Sequence, residues 1–521
     1  MPKKNKNEMD ESEGGEHIDL SFGEEGQQKK DAGKVEKIDV KQISDYIWEI
    51  PKTGSMLVPG RIYIDKAGIR HLLEDVKQGK EWNALVQIKN VACLPGIQKA
   101  SLAMADVHPG YGFCIGGIGA FDVETGVISV AGVGFDINCG VRTLKTELIR
   151  KNIEKAGVKE KLADSLYKII PAGLGSKGEV RLSIDQIDEV LVKGAKYAVD
   201  LGYGFREDLE FVEECGAIKG ANPKDVSNLA KERQFRQVGT LGSGNHYLEV
   251  QYVSEIFDEE AAKVYGLSKD MVIVSIHCGS RGLGHQIGSD YLKILDAASR
   301  KYNIPIRERE LVCAPFKSEE GQAYFGAVNC GINCAFANRQ TLAHLTRKAF
   351  KSALGVDEKS IKTLYEIGHN TCKLEKHKVD GNLMELIVHR KGATRAFGPS
   401  REEVPEKYRK IGQPVLVGGT MGTSSFILHG TEKGMDETFG SAIHGAGRTM
   451  SRHQAMKQWR GMQLVNELAK QGILIRGHSL AGVAEEAPGA YKNVGEVVNI
   501  MHNAGIAIKV AQLKPLICIK G

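Results

Sequence analysis

From Ile43 onward, apolar and polar positions follow a globular pattern, with neither an internal repeat nor a linker to divide it. Residues 43–64 predict a helix-and-strand entry with Trp48 and Pro59-Gly60 as turn punctuation, and helical periodicity follows over 67–76. Residues 101–119 carry Asp106-Val107-His108-Pro109-Gly110-Tyr111-Gly112-Phe113, too rich in glycine and proline for a helix, and predict a loop. Residues 148–201 read as helices whose Lys and Glu faces are solvated, a peripheral layer. Two apolar runs, 271–276 and 363–367, end at or just before His277 and His369, which places both histidines at strand exits, where ligands gather in α/β architectures. The run 414–417 leads directly into Gly418-Gly419-Thr420-Met421-Gly422-Thr423-Ser424-Ser425, a strand followed by a glycine turn. Residues 1–38 have almost no apolar content, cannot offset the entropy of ordering, and predict a disordered charged tail. Residues 39–521 then form one large domain.

Composition narrows the class. With 521 residues, 42% hydrophobic and 26% charged, the chain can bury a large core. A net charge of +5 on 70 basic and 65 acidic residues is too slight to announce a nucleic-acid binder. Ten cysteines with no secretory apolar segment ahead of them point to a reducing compartment rather than a disulfide framework. No apolar run is long enough to span a bilayer. The basic start Met1-Pro2-Lys3-Lys4-Asn5-Lys6 reads as a solvated terminus in preference to an import signal.

Candidate chemistry centres on Gly132-Val133-Gly134-Phe135-Asp136-Ile137-Asn138-Cys139-Gly140, where a carboxylate and a thiol three residues apart in a glycine-rich bend can converge on one cation. Such a site draws its remaining ligands from elsewhere, and His246, His277 and His369 each follow an apolar or glycine-rich stretch, with His444 a fourth in His444-Gly445-Ala446-Gly447-Arg448. By donor type alone, thiolate with imidazole favours zinc. Asp106 and His108 read equally as groups that orient metal ligands or as a turn before proline. Cys330 and Cys334 stand at helical spacing without a second pair, which predicts core packing, and His285, His344, His377 and His453 lack any partner pattern. The turn at 418–425 lacks the lysine of a Walker A loop but lets backbone N–H groups approach phosphate oxygens, and the nest at 444–448 sets an imidazole at its lip. Basic residues recur at 389–395 and Arg281. Two glycine turns, arginines and a metal constellation make phosphoryl or nucleotidyl transfer the leading class.

The ordered set of Asp106 to Phe113, Gly134 to Gly140, Gly244-Asn245-His246, His277 with Gly279-Ser280-Arg281-Gly282, Gly368-His369-Asn370, Gly419 to Thr423, His444 to Arg448 and the terminal Ile519-Lys520-Gly521 resembles the RtcB family of RNA ligases. The charged tail makes it resemble eukaryotic members more than bacterial ones. The resemblance implies a mixed α/β (α+β) fold, with central β-sheets flanked by helices in a single catalytic domain. It implies joining of a 2′,3′-cyclic phosphate or 3′-phosphate RNA end to a 5′-hydroxyl, using GTP and two manganese ions. Asp136, Cys139 and His246 would hold one ion, and Cys139, His277 and His369 the other. His444 would carry the covalent guanylate. Asn245, His246, Tyr247, Leu248 and Glu249 would line the guanylate pocket, with Tyr247 against the base and Glu249 accepting from guanine. Lys520 and Ser425 would add contacts, while His369, Asn370, Gly418, Gly419, Thr420, Met421, His444, Gly445, Ala446 and Gly447 wrap ribose and phosphate. Arg281, Lys391 and Arg452 would face RNA phosphate or support the ligands. The expected setting is a tRNA-splicing ligase complex in nucleus and cytoplasm, acting on tRNA halves with a DEAD-box helicase and an archease-type activator. Cys278, Cys114 and Tyr247 depart from the family's commoner serine, alanine or proline, and phenylalanine, and none removes a ligand. A two-metal phosphodiesterase or cyclic phosphatase, and a noncatalytic scaffold, are the rival readings.

Overall fold

Strands, not a helix, come first among the described residues. The computed structural model describes residues 38–80, 82–173, 175–178, 180–399 and 401–521. Of the expected tail only Ile38 falls within them, buried at 8% exposure; the rest lies outside the described residues. Residues 43–64 contribute to three strands, Lys41–Ser44, Ile47–Ile50 and Gly60–Tyr63, with no helical turn. Ile47, Trp48 and Ile50 are β-formers, and Trp48 is part of a strand rather than a turn, its indole N–H donating to the Ile64 carbonyl at 3.0 Å. The loop expected over 101–119 is likewise corrected. Ser101–His108 and Ile115–Asp122 are paired strands; Pro109, Gly110 and Gly112 make the bend between them, while Gly116, Gly117 and Gly119 lie within the second strand. The run Leu102 to Val107 is apolar apart from Asp106 and buried throughout, so it reads as a strand covered on both faces.

Two large sheets carry the molecule. The seven-stranded sheet runs Lys41–Ser44, Ile47–Ile50, Gly60–Tyr63, Ser101–His108, Ile115–Asp122, Asn382–Lys391, Asn370–Val379. The eight-stranded sheet runs Lys362–Gly368, Gly140–Ile149, Met271–Cys278, Tyr247–Ile256, Ala507–Lys520, Ser425–Gly430, Pro414–Val417, with Leu474–Gly477 added in parallel to Ala507–Lys520. One of the chain's passages between the two sheets takes a single residue. Gly368 ends a strand of the larger sheet and Asn370 begins one of the smaller, with His369 between them.

Helices flank the sheets, and the expected helical region over 148–201 supplies Val158–Ile169, Ile184–Lys193 and Ala195–Asp200. These pack on Glu319–Leu354, a 36-residue helix capped by Ser318 and ended by Gly355 at φ 71°. At 1.5 Å per residue it spans about 54 Å. Cys330 and Cys334 are fully buried in it, as core residues. Less ordinary is its buried polar content of Asn329, Asn333, Asn338, Arg339, Gln340 and Arg347. All ten cysteines are free. Among the described residues, no helix is long and apolar enough to cross a membrane.

Candidate active site

Four neighbouring strands of the larger sheet deliver ligand-type side chains to one end. Cys139 precedes Gly140–Ile149, His277 lies near the end of Met271–Cys278, His246 precedes Tyr247–Ile256, and His369 follows Lys362–Gly368. Register brings them level, since Gly140 faces both Gly368 and Cys278, and His277 faces Val141 and Tyr247. The Asp136-to-Cys139 bend is stitched in place by its backbone. Asn138 N–H donates to the Asn370 carbonyl, His369 N–H to the Cys139 carbonyl, and Cys139 N–H to the Asp136 carbonyl, at 2.8 to 3.0 Å. Asn138 stands at φ 52°, a left-handed conformation that asparagine tolerates better than most side chains.

Two groups result, Asp136-Cys139-His246 and Cys139-His277-His369, sharing the cysteine, with the donor atoms of each within 4.8 Å of one another. Cys139 Sγ lies 3.4 Å from His246 Nε2 and 3.2 Å from His277 Nε2, and the Nε2 atoms of His277 and His369 are 3.2 Å apart. His246 Nδ1 donates to the Leu241 carbonyl at 2.9 Å, which turns Nε2 toward Asp136 Oδ2 at 2.8 Å. Burial and then the Asp136 charge push the Cys139 thiol up to about 12. Burial disfavours a charged His246, but Cys278, Cys139 and Asp136 overcome it and hold its pKa well above the usual value. Burial and the neighbouring His246 and His444 hold His277 and His369 neutral. A thiol and imidazoles converging on common points suit a pair of bridged transition-metal ions.

Beside this cluster stands His444, its ring centroid 4.8 Å from that of His369. It follows the short strand Ser441–Ile443, and its Nδ1 donates to Asp106 Oδ2 at 2.6 Å while its backbone N–H reaches the same oxygen at 3.1 Å. Asp106 is fully buried. Of the two readings left open for Asp106, the structure gives a third: it orients His444 and not a metal ligand. A hydrogen bond between the Gly418 N–H and the His444 carbonyl, 3.3 Å, draws the glycine turn against the imidazole.

The cleft there is lined by Asn245, Tyr247, His277, Gly418, Gly419, Thr420, Met421, His444, Gly445 and Lys520. Glu486 and Tyr491 also line it, hydrogen-bonded to each other; no motif marked them in the sequence. Lys520 Nζ donates to the carbonyls of Gly244 and His246, at 2.7 and 3.1 Å. Deeper, Gln251 donates to Glu249 Oε2 at 2.8 Å and to Ser425 Oγ at 2.9 Å, leaving Glu249 Oε1 and the Tyr247 hydroxyl buried without a protein partner. Other expected pocket residues do not face the cleft. Leu248 points into the apolar core on the opposite face of its strand, Ala446 is packed in a second core, and Gly447 lies against the Asp106 backbone. Asn370 acts through its side chain, bridging the Asp136 carbonyl and the Gly392 N–H at 3.0 and 2.8 Å.

The basic residues at 389–395 are a correction. Arg390 is fully buried on Glu375, Arg395 on Glu213 and Glu214, and Lys391 donates to the Tyr111 carbonyl, so they hold the fold together rather than meet phosphate. Arg281 is engaged with Thr240 Oγ1 at 3.2 Å and lies 3.5 Å from His246 Nδ1. Cys278 is turned off the cluster, donating to the Leu241 carbonyl and accepting from Asn338 at 3.0 and 3.1 Å.

A family model described as tRNA-splicing ligase RtcB matches residues 87–521. The chain belongs to the RtcB family. A tRNA-splicing ligase RtcB of Methanococcus maripaludis is 50% identical over 489 residues, covering 93% of this chain and 100% of the relative. That of Thermococcus kodakarensis is 52% identical over 489 residues, with the same coverage of 93% and 100%. The Pyrococcus furiosus protein is 53% identical over 387 residues, 74% of this chain and 40% of its own length. The RtcB match includes every site residue from Asp106 to Lys520, so both bridged groups and His444 fall within the shared domain.

Proposed function

We propose that the chain is an RNA ligase of tRNA splicing that joins a 2′,3′-cyclic phosphate or 3′-phosphate end to a 5′-hydroxyl end through a guanylate carried on His444. One observation carries the reading: an imidazole with Nδ1 tied to a buried carboxylate at 2.6 Å, standing at a cleft beside two ligand groups that share a cysteine. Asp106 keeps the proton on Nδ1, so the Nε2 lone pair is the reactive one. In the first step the Nε2–phosphorus bond forms at the α-phosphate of GTP as pyrophosphate leaves. The guanylate then passes to the RNA 3′-phosphate, and the hydroxyl end displaces GMP.

Asp136, Cys139 and His246 would hold one manganese ion and Cys139, His277 and His369 the other. Bound there, the ions supply Lewis-acid stabilisation of charge on phosphoryl oxygens. Manganese and GTP enter by family resemblance, since the donor set alone suits zinc. The free Glu249 Oε1 and the Tyr247 hydroxyl are the unsatisfied atoms that a guanine with adjacent N–H donors would satisfy. Tyr247 would lie against the base, Lys520 and Ser425 would support it, and the turn at Gly418 to Met421 would approach the phosphate.

A phosphodiesterase would share the ligands but leave the Asp106–His444 pair without a role, and a scaffold has no use for convergent buried donors. The partners remain RNA, a DEAD-box helicase and an archease-type activator in a ligase complex of nucleus and cytoplasm. Incubation with α-labelled GTP and manganese should leave an acid-labile label on the chain, absent in His444→Ala. A wild-type chain that seals a cyclic-phosphate tRNA half yet never takes the label would refute the guanylate route.

A further inference from the structure

Asp106 holds two imidazoles at once. Its Oδ2 accepts from Nδ1 of His444 at 2.6 Å, and its main-chain oxygen is bonded to Nδ1 of His108 at 2.9 Å. A carbonyl can only accept, so the His108 proton is on Nδ1 and Nε2 carries a lone pair. Burial, which pushes this ring down to about 4, keeps it neutral at ordinary pH. His444 faces the guanylate cleft, whereas His108 lines a separate cavity of about 660 Å³ for which the guanylation step has no use.

That cavity lies between the helix Lys66–Lys77, Trp82, Pro109 and the segment 448–454. Trp82 stands on its wall, 46% exposed, with its ring 6.3 Å from that of Tyr111. Arg452 is half-exposed, held by Glu486 at 3.4 Å, and its Nη2 lies 3.0 Å from where a side chain on Gly244 would begin. One guanidinium therefore links the cavity to the loop that bears His246. Lys80 adds a second cation, paired with Asp75 at 2.6 Å. An accessible indole beside cations is how proteins take single-stranded nucleic acid, the base stacking on the ring and the phosphate meeting the charge. His108, its ring held by the Asp106 carbonyl, is among the residues that line the same cavity, and a neutral imidazole is chemistry that mere binding would not need.

We infer that this cavity seats the 5′-hydroxyl end of the RNA, with its terminal base on Trp82, a backbone phosphate at Arg452 and its hydroxyl aimed at His108 Nε2. The assignment rests on the ligase reading of the neighbouring cleft and names the base for its last step. The hydroxyl oxygen bonds to the guanylated 3′-phosphate while its proton moves to Nε2. The bond between that phosphate and the guanylate phosphate breaks, GMP leaves with the electron pair, and the imidazolium returns its proton to water. One aspartate thus aligns the nucleophile of the first step and the base of the last.

The test separates the steps. Enzyme, GTP, manganese and a 3′-phosphate strand are incubated without a hydroxyl strand, so that the guanylated RNA forms; the hydroxyl strand is then added and sealing is timed. His108→Gln should still take the label from GTP and pass it to RNA, but seal about 100-fold more slowly at saturating hydroxyl strand. Trp82→Ala should raise the half-saturating concentration of that strand about tenfold, far more than it changes the rate at saturation, and Trp82→Phe should restore it. Because Trp82 is a surface residue, its variants keep the test open if His108→Gln fails to fold. Sealing by His108→Gln at the wild-type rate, or an unchanged half-saturation in Trp82→Ala, overturns the assignment. A wild-type chain that takes no label overturns the ligase reading and this assignment with it.

Discussion

Glu249 combines burial with an unsatisfied oxygen, and burial pushes its carboxyl up to about 7 despite the opposing Cys518, Lys520 and Gln251. Guanine N–H donors need the ionised form, which exists above that value and is lost as pH falls through it. Guanylation of His444 should therefore weaken below about pH 7, and Glu249→Gln should be slow at every pH without that inflection. An inflection that survives in Glu249→Gln would assign it to another group. The two candidate ligand groups predict the same direction from a different cause. Without an ion, Cys139 keeps its proton up to about pH 12, and His246 is held charged. A cation needs both lone pairs, so binding expels protons and affinity rises with pH. Calorimetric titration of manganese in buffers of different ionisation heat should count that release, and no buffer dependence would contradict it. Cys139, His246, His277 and His369 stand out in the sequence because each abuts a glycine or a strand end, positions that local pattern marks. The motif also puts Leu248 at the pocket, whereas the structure packs it in the core: a motif names consecutive residues, but a strand sends alternate ones to opposite faces.

At the scale of elements, the helix Glu319–Leu354 underpins the site. Arg339 Nη1 donates to the Asn138 and Cys278 carbonyls, 2.6 Å each, so one guanidinium ties the bend before Cys139 to the strand end after His277. Its Nε meets Glu366 at 2.7 Å, and Arg142 meets the other oxygen of that carboxylate. Asn338 beside it accepts the Gly239 and Thr240 N–H groups at 2.7 and 3.1 Å. Arg339→Met removes a partner from a fully buried carboxylate and should cost roughly 3–5 kcal/mol. Denaturant unfolding would measure it, and a loss below about 1 kcal/mol would show the network to be dispensable. None of this was legible. Residues 142, 339 and 366 are far apart in sequence, and nothing local to a helix or a strand announces that three charges will meet inside. The same blindness hid Glu486 and Tyr491, whereas the strand exits at His277 and His369 were visible because an apolar run ends there.

Across the whole molecule, the candidate active centre lies where the chain crosses between the sheets at His369, with metal-type ligands from the eight-stranded sheet and Asp106 from the seven-stranded one. An ion bound at 100 times its dissociation constant should add about 2.7 kcal/mol to stability. The thermal midpoint should climb with manganese concentration in the wild type and not in Cys139→Ala; an equal climb in both would place the ion elsewhere. Proline and glycine over 101–119 predict a loop where the structure has only a short bend, because the burial of Ser101–His108 depends on sheets assembled from distant sequence.

The strand Ala507–Lys520 lies inside the larger sheet, hydrogen-bonded to Tyr247–Ile256 on one side and Ser425–Gly430 on the other. On the ribosome, these two older strands must therefore wait with bare edges until Ala507–Lys520 emerges, and Lys520 completes the cleft only then. A nascent chain arrested short of that point lacks part of its cleft and bares two strand edges, which makes the delay of this strand one for chaperones to cover.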